Sequence, residues 1–144
     1  MIPIQMFRIC CFLIIYLFSL LGCSAPESEQ KVPPQVFFIE PLDGATVSSP
    51  VRDMMGVNGM EVRPISEGVV DGTGHHHILV NIGPKYPKGA VIPNDDINRH
   101  FGAGQTEAEL DLEPGKYKLT LQFADANHRS FGNTMSHSID ITVE

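Results

Sequence analysis

The chain has 144 residues, of which 10 are Lys or Arg and 17 are Asp or Glu, so its formal net charge is −7 with the histidines neutral. It contains no tryptophan and no cluster of basic residues, which argues against nucleic-acid binding, because that function needs a positive surface to neutralise phosphates. The length allows one domain with a hydrophobic core after an N-terminal leader.

Residues 1–22 predict a lipoprotein signal peptide. Arg8 is the only charged side chain before an apolar run from Ile9 to Leu21, and a short basic start followed by roughly 7–15 apolar residues is typical of a secretory signal. A transmembrane helix needs about 20 apolar residues, so this run is too short to be a good one. The sequence Leu20-Leu21-Gly22-Cys23 resembles the bacterial lipobox, in which the cysteine is lipidated and becomes the mature N-terminus.

A lipidated Cys23 would anchor the protein to a membrane without a spanning segment. Ser24 stands where an aspartate would resemble the inner-membrane retention signal, so we expect the periplasmic face of the outer membrane if the source is Gram-negative. The alternative is an ordinary signal peptide with a chance cysteine. It is less favoured because Cys10, Cys11 and Cys23 are the only cysteines and all lie at or before the cut. A disulfide in the mature domain is therefore not expected.

Residues 23–34 are predicted to be the lipidated cysteine and a flexible tether, because this segment is polar, acidic and proline-rich. Residues 35–144 are predicted to form a single β-domain. Glycine and proline recur there at short intervals, and no stretch keeps a helical period for three turns. The strands predicted between the turn signals are Val36–Glu40, Val51–Val57, Met60–Arg63, His75–Gly83, Thr106–Leu112, Lys116–Ala124 and Ser136–Val143.

The alternation of apolar and polar residues indicates two packed sheets. In Lys116–Ala124 the apolar side chains share one face and the polar ones the other, and Ser136–Val143 alternates in the same way. Tyr117 follows a Pro-Gly turn and resembles the tyrosine corner of immunoglobulin-like domains, in which the hydroxyl bonds back to the backbone. We therefore predict an all-β fold, an immunoglobulin-like antiparallel β-sandwich of about seven strands.

The stretch of residues 83–105 does not fit a hairpin. It holds three prolines and three apolar anchors, Val91, Ile92 and Phe101, and long loops in compact domains are mostly functional or disordered. We expect an ordered loop folded over one end of the sandwich. Gly102 and Gly104 are expected to adopt positive φ in a tight turn there.

The six histidines are the best indication of a functional site. Period-two alternation places His76 on the core face of its strand, and it places His75 and His77 together on the opposite face with Cα atoms ~7 Å apart. Two such imidazoles can share a metal ion. The segment from Asp125 to His128 follows the strand ending at Ala124, and antiparallel pairing would bring it to the start of the histidine strand.

The candidate metal site therefore draws on the histidine strand, the long loop and the segment after Ala124. Imidazole ligands suit copper or zinc best, and Met135 beside His137 favours copper slightly. The alternative is that these side chains only stabilise loops, with imidazoles bonded to backbone carbonyls and Asp125 serving a turn. The predicted ligands are His75, His76, His77, His100, Asp125 and His128.

Five segments of the chain resemble the bacterial domain-of-unknown-function family numbered 4399, whose members are secreted proteins of about this size. The resemblance spans Phe38 to Val143 and implies membership but no activity. All six predicted ligands lie in its motifs. The segments are Pro41–Pro50, Val57–Val62, Gly72–His77, His100–Glu107 and Asp125–His128, of which Gly-His-His-His and His-Phe-Gly-x-Gly-Gln-Thr-Glu are the most specific.

The function that we expect is that of a lipid-anchored binding module of the cell envelope with a histidine-rich site for copper or zinc. One alternative is an accessory envelope lipoprotein that presents loops to a protein partner. Another is a hydrolase with a histidine-bound zinc and a carboxylate such as Asp125 or Glu107. An enzyme is the least favoured, because the sequence has no mature thiol, no Gly-x-Ser-x-Gly and no His-Glu-x-x-His motif.

Overall fold

The computed structural model describes residues 32–144, so the predictions for the signal peptide, Cys23 and the tether up to residue 31 lie outside the described residues. Residues 32–144 contain no helix that could span a membrane. Two short 3-10 segments, Ile65–Glu67 and Asn133–Met135, accompany the strands. The strands are β1 (Gln35–Glu40), β2 (Thr46–Val47), β3 (Val51–Asn58), β4 (Glu61–Val62), β5 (Thr73–Val80), β6 (Asn98–Phe101), β7 (Glu107–Leu110), β8 (Gly115–Ala124) and β9 (Ser136–Val143).

The strands form two sheets, which confirms the predicted all-β sandwich. The smaller sheet has the order β1-β3-β7, and the larger has the order β2-β9-β8-β5-β4, with β6 also paired to β5. All the long pairings are antiparallel, as predicted. Two pairings differ from the prediction, because β2 with β9 and β4 with β5 are parallel over two residues each.

The hydrophobic core lies between the two sheets. The smaller sheet contributes Phe38 and Met55, and the larger contributes the apolar side of β8, including Leu121 and Phe123. The predicted tyrosine corner is confirmed, since the Tyr117 hydroxyl donates to the carbonyl oxygen of Glu113 at 2.9 Å. The core residues of the described part of the chain lie within residues 36–143.

Residues 83–97, which we call the cover segment, lie across the outer face of the larger sheet rather than over one end of the sandwich. Ile92 packs there against Leu79 and Ala124 in a second, smaller apolar cluster. As a result Thr120 and Gln122, on the polar side of β8, are also buried, whereas Lys116 and Lys118 on the same side stay exposed. The Thr120 hydroxyl donates to the carbonyl of Ile82 at 2.6 Å. Strand β5 and the second half of β8 are therefore covered on both faces.

Strand β6 was not predicted, although it lies within the expected loop. It pairs antiparallel with β5, and His100 stands opposite His77. Asp95 stabilises the turn before β6, because one of its carboxylate oxygens accepts the backbone N–H groups of Ile97 and Asn98 at 2.9 and 2.8 Å. The Tyr86 hydroxyl donates to the side-chain oxygen of Asn98 at 2.9 Å, which fastens the cover segment to this strand.

Asp53 is a carboxyl group in the hydrophobic core. It lies on β3 with its side chain on the same face as the buried Val51 and Met55, and it is fully buried. Neither carboxylate oxygen has a hydrogen-bond partner among residues 32–144. Burial raises its pKa from the ordinary 3.8 to about 7, because a buried charge loses its hydration.

We expect Asp53→Asn to remove one pH-dependent part of the protein's stability. Between the unfolded pKa of 3.8 and the folded pKa of about 7, the folded state holds the Asp53 proton that the unfolded state has released. The contribution of this group is therefore fully present below pH 3.8 and falls by roughly 4 kcal/mol as pH rises through 7. Urea denaturation of both proteins from pH 5 to 8 measures the difference in free energy of unfolding. A difference that stays constant over this range would contradict the prediction.

Candidate metal centre

Four imidazoles meet between the larger sheet and the loops that cover it. Strand alternation places His75 and His77 on the outer face of β5, and the register of β6 brings His100 opposite His77. His128 reaches the same point from the turn after β8. All six separations between these ring centroids fall between 4.7 and 5.8 Å. The structure thus brings together four of the six predicted ligands.

The nitrogen atoms of the four rings face one another. The Nε2 atoms of His75 and His77 lie 2.9 Å apart, and those of His100 and His128 lie 3.1 Å apart. Ring nitrogens of His75, His100 and His128 all lie within 4.8 Å of one another. Since Zn–N bonds measure about 2.0–2.1 Å, two ligands of one ion stand roughly 3–4 Å apart. These three histidines could therefore hold a metal ion, with His77 beside them.

The turn that carries His128 is organised by Asp125. One Asp125 carboxylate oxygen accepts the backbone N–H groups of Asn127 and Arg129 at 2.8 and 2.9 Å. His128 has a left-handed φ of 61°, and its own N–H donates to the Asp125 carbonyl at 2.8 Å. Asp125 thus serves the turn that presents His128, which is the structural role that the sequence analysis left open as an alternative.

Burial disfavours the charged form of His75, His77 and His100 by lowering the pKa of each ring. His75 and His77 are fully buried, whereas His100 and His128 are half-buried. Burial, and then the neighbouring imidazoles, lower the pKa of His75 to about 4 and the pKa of His77 to about 2. Burial and then His128 also lower the pKa of His100. A neutral imidazole has a free lone pair at pH 7, which is the state that a metal ion requires.

Packing and strand register orient the two buried rings. A metal-bound histidine usually donates its second ring N–H to a carbonyl or a carboxylate. The Nδ1 atoms of His75 and His77 have no such partner in the described domain. The positions of both rings follow from β5, which is paired along one edge with β8 and along the other with β6.

The remaining histidines lie apart from the cluster. His76, one of the six predicted ligands, is on the core face, as strand alternation predicted, so the structure does not bring it to the cluster. Its ring packs against Phe123 with centroids 5.0 Å apart. His137 accepts the backbone N–H of Phe38 at its Nδ1 atom, at 3.3 Å. Met135 is buried in the main core, so the slight preference for copper that was drawn from it has no support in the structure.

The prediction of a positive φ at Gly102 is wrong. Gly104 adopts the expected positive φ, of 79°, but Gly102 is not among the glycines with positive φ. The His100 ring lies instead directly against the position that a Gly102 side chain would occupy. A His-x-Gly sequence at the end of a strand is a weak signal of such a contact, and without the structure it cannot be separated from an ordinary turn glycine.

A family model described as "Domain of unknown function (DUF4399)" matches residues 54–144, and it confirms the resemblance that the sequence predicted. The matched region contains all four clustered histidines, Asp125 and the Gly102 turn, whereas the resembling segment Pro41–Pro50 lies before it. No curated protein and no solved structure matches the chain.

His76→Leu should stabilise the protein by about 1–3 kcal/mol at pH 7. Both ring nitrogens of His76 are buried without a partner among the described residues, and leaving such groups unsatisfied costs about this much. Leucine has a similar volume and no polar atom, so the contact with Phe123 is retained. Urea denaturation of the metal-free protein measures the change. A loss of stability instead would show that His76 has a polar partner.

Proposed function

The chain belongs to the DUF4399 family of domains of unknown function, and we propose that it is a binding module that holds one copper or zinc ion in the four-histidine cluster. The observation that carries this proposal is the convergence of four imidazoles whose Nε2 atoms face one another in pairs at 2.9 and 3.1 Å. Two of the rings are fully buried, where an imidazole without a strong partner is costly.

The contacts of the rings favour a metal over loop stabilisation. A histidine that stabilises a loop typically bonds a backbone carbonyl through one ring nitrogen. Among residues 32–144, the ring nitrogens of the cluster form hydrogen bonds only with each other. In each pair, one Nε2 would have to carry a proton to bond the other, whereas a metal ion would accept both lone pairs.

The ligand set favours copper or zinc held for binding rather than for hydrolysis. Imidazole nitrogens without thiolate suit these borderline metals. Catalytic zinc sites usually have three protein ligands and an open fourth position for water, whereas closed sites have four. The cluster offers four imidazoles, and the Asp125 carboxylate nearby already accepts two backbone N–H groups. These features support a binding role.

The proposed location is the cell envelope, with the domain anchored to a membrane through a lipid on Cys23. The lipobox-like sequence before Cys23 and the absence of cysteine after it support this anchor. Ser24 favours the outer membrane in a Gram-negative source. An envelope protein partner remains the second candidate role, favoured by the exposed Leu42 near the turn after β1, which is 72% exposed.

The first test is the metal content and affinity of the chain from Ser24 to Glu144 without any affinity tag. We expect one Cu²⁺ or Zn²⁺ per chain, lost entirely in the His75→Ala/His77→Ala variant because both buried ligands are removed. His100→Ala should weaken binding at least tenfold. Elemental analysis and competitive titration with each metal measure these outcomes.

Matched controls separate ligand loss from general damage. His76→Leu lies on the same strand, and His137→Ala removes another histidine outside the cluster, so both should bind metal as the wild type does. If the wild-type chain takes up neither metal, the proposed function is wrong, and the histidines then stabilise an accessory domain. Equal losses in the controls and in the cluster variants would also argue against the site.

The proposed anchor is tested separately by Cys23→Ala. We expect the wild-type protein to partition with membranes and to carry the mass of a lipidated N-terminus, and the variant to lose both properties because no thiol is available for acylation. Fractionation of cells followed by mass spectrometry measures this. A wild-type protein that is cleaved elsewhere and released would contradict the anchor and would leave the metal site unaffected.

A further inference from the structure

The His100 ring lies over the turn at Gly102, in the space that a side chain at this position would occupy. A Cβ atom built on Gly102 would fall inside contact distance of the Cε1 and Nε2 atoms of His100. The Nε2 atom is also the one that lies 3.1 Å from Nε2 of His128. The position of the ring in the cluster therefore depends on the empty space beside Gly102.

The turn around Gly102 is fixed to the domain by several contacts. The Gly102 carbonyl accepts the backbone N–H of Ile65 at 2.8 Å, and the side-chain oxygen of Gln105 accepts the N–H of Ala103 at 2.8 Å. Gly104 has a positive φ, and a side chain there would meet Pro64 at 3.2 Å. A turn held in this way cannot easily move away from the His100 ring.

Resting on the proposed function, we propose that Gly102 is a positioning residue of the metal site. The missing side chain lets the His100 ring fold back over the turn and join the buried pair on β5. The same feature accounts for the sequence His-Phe-Gly-x-Gly-Gln: His100 is the ligand, Gly102 provides the space, Gly104 and Gln105 hold the turn, and Phe101 packs against the main core.

The expected effect of a methyl group at position 102 follows from the surroundings of the ring. Gly102 has no positive φ, so alanine there avoids the strain of a left-handed φ. His75 and His77 are fully buried and held by β5, whereas His100 is only half-buried. The strain is therefore relieved by movement of the His100 ring toward solvent, which leaves three imidazoles in the cluster.

The test compares Gly102→Ala with Gly83→Ala in the chain from Ser24 to Glu144. Gly83 is a matched control because its φ is also not positive and a Cβ there would meet nothing within 4 Å. We expect Gly102→Ala to bind Cu²⁺ at least tenfold more weakly, and the paramagnetic resonance spectrum to show one coordinated nitrogen fewer. Gly83→Ala should match the wild type in both. In the His100→Ala background, Gly102→Ala should cause no further loss, because it acts through that ring.

The outcomes distinguish this proposal from the proposed function. A wild type that binds metal, with Gly102→Ala unchanged in affinity and nitrogen count, would overturn the positioning role alone. If the wild type binds no metal, the role is decided on the metal-free protein by nuclear Overhauser contacts between the rings of His100 and His128. We expect these contacts to be lost in Gly102→Ala and kept in Gly83→Ala, and their persistence in Gly102→Ala would overturn the proposal.

A second variant covers the case in which Gly102→Ala does not fold. Gln105 is exposed, and Gln105→Ala removes only the hydrogen bond to Ala103 that closes the turn. A loss of Cu²⁺ affinity of at least threefold supports the positioning role of the turn, and a smaller loss overturns it. Circular dichroism of the metal-free variants confirms that each is folded.

Discussion

The arrangement of this protein depends on one strand, β5, being buried on both faces. The core covers one face and the cover segment the other, so a strict two-residue alternation sends consecutive histidines into different environments. His76 enters the apolar interior beside Phe123, while His75 and His77 lie beneath the loops. A slip of one residue in the pairing with β8 would exchange these environments. The β5–β8 register therefore determines both the core and the cluster.

Local patterns were sufficient to predict most of the sandwich. Turn signals delimited seven strands, alternation was clear in two of them, and the Pro-Gly turn before Tyr117 identified the tyrosine corner. The same alternation predicted the face of each histidine on β5. These features depend on neighbours in sequence, where the spacing of side chains is fixed by backbone geometry.

The features that were not predicted depend on distant contacts. Strand β6 is four residues long and exists because β5 offers it an edge. The covered face of β8 depends on one apolar anchor, Ile92, in a proline-rich segment. The roles of Asp125 and Gly102 could not be predicted from the sequence either. A carboxylate can bind a metal or stabilise a turn, and a glycine can adopt a positive φ or leave space for a neighbouring side chain. Only the positions of the surrounding atoms separate these roles.

The cover segment and the cluster share backbone hydrogen bonds. The N–H of Ile92 donates to the carbonyl of His128 at 2.9 Å, and the N–H of Ser130 donates to the carbonyl of Ala90 at 2.8 Å. Opening of this segment would therefore disturb the turn that carries His128, and an occupied cluster would oppose that opening by mass action. The amides of Ile92 and Ser130 would then exchange their hydrogens more slowly when the site is filled. Protease cleavage within residues 83–97 would slow for the same reason. The rate of cleavage in the cover segment would then depend on whether a metal ion is bound in the cluster.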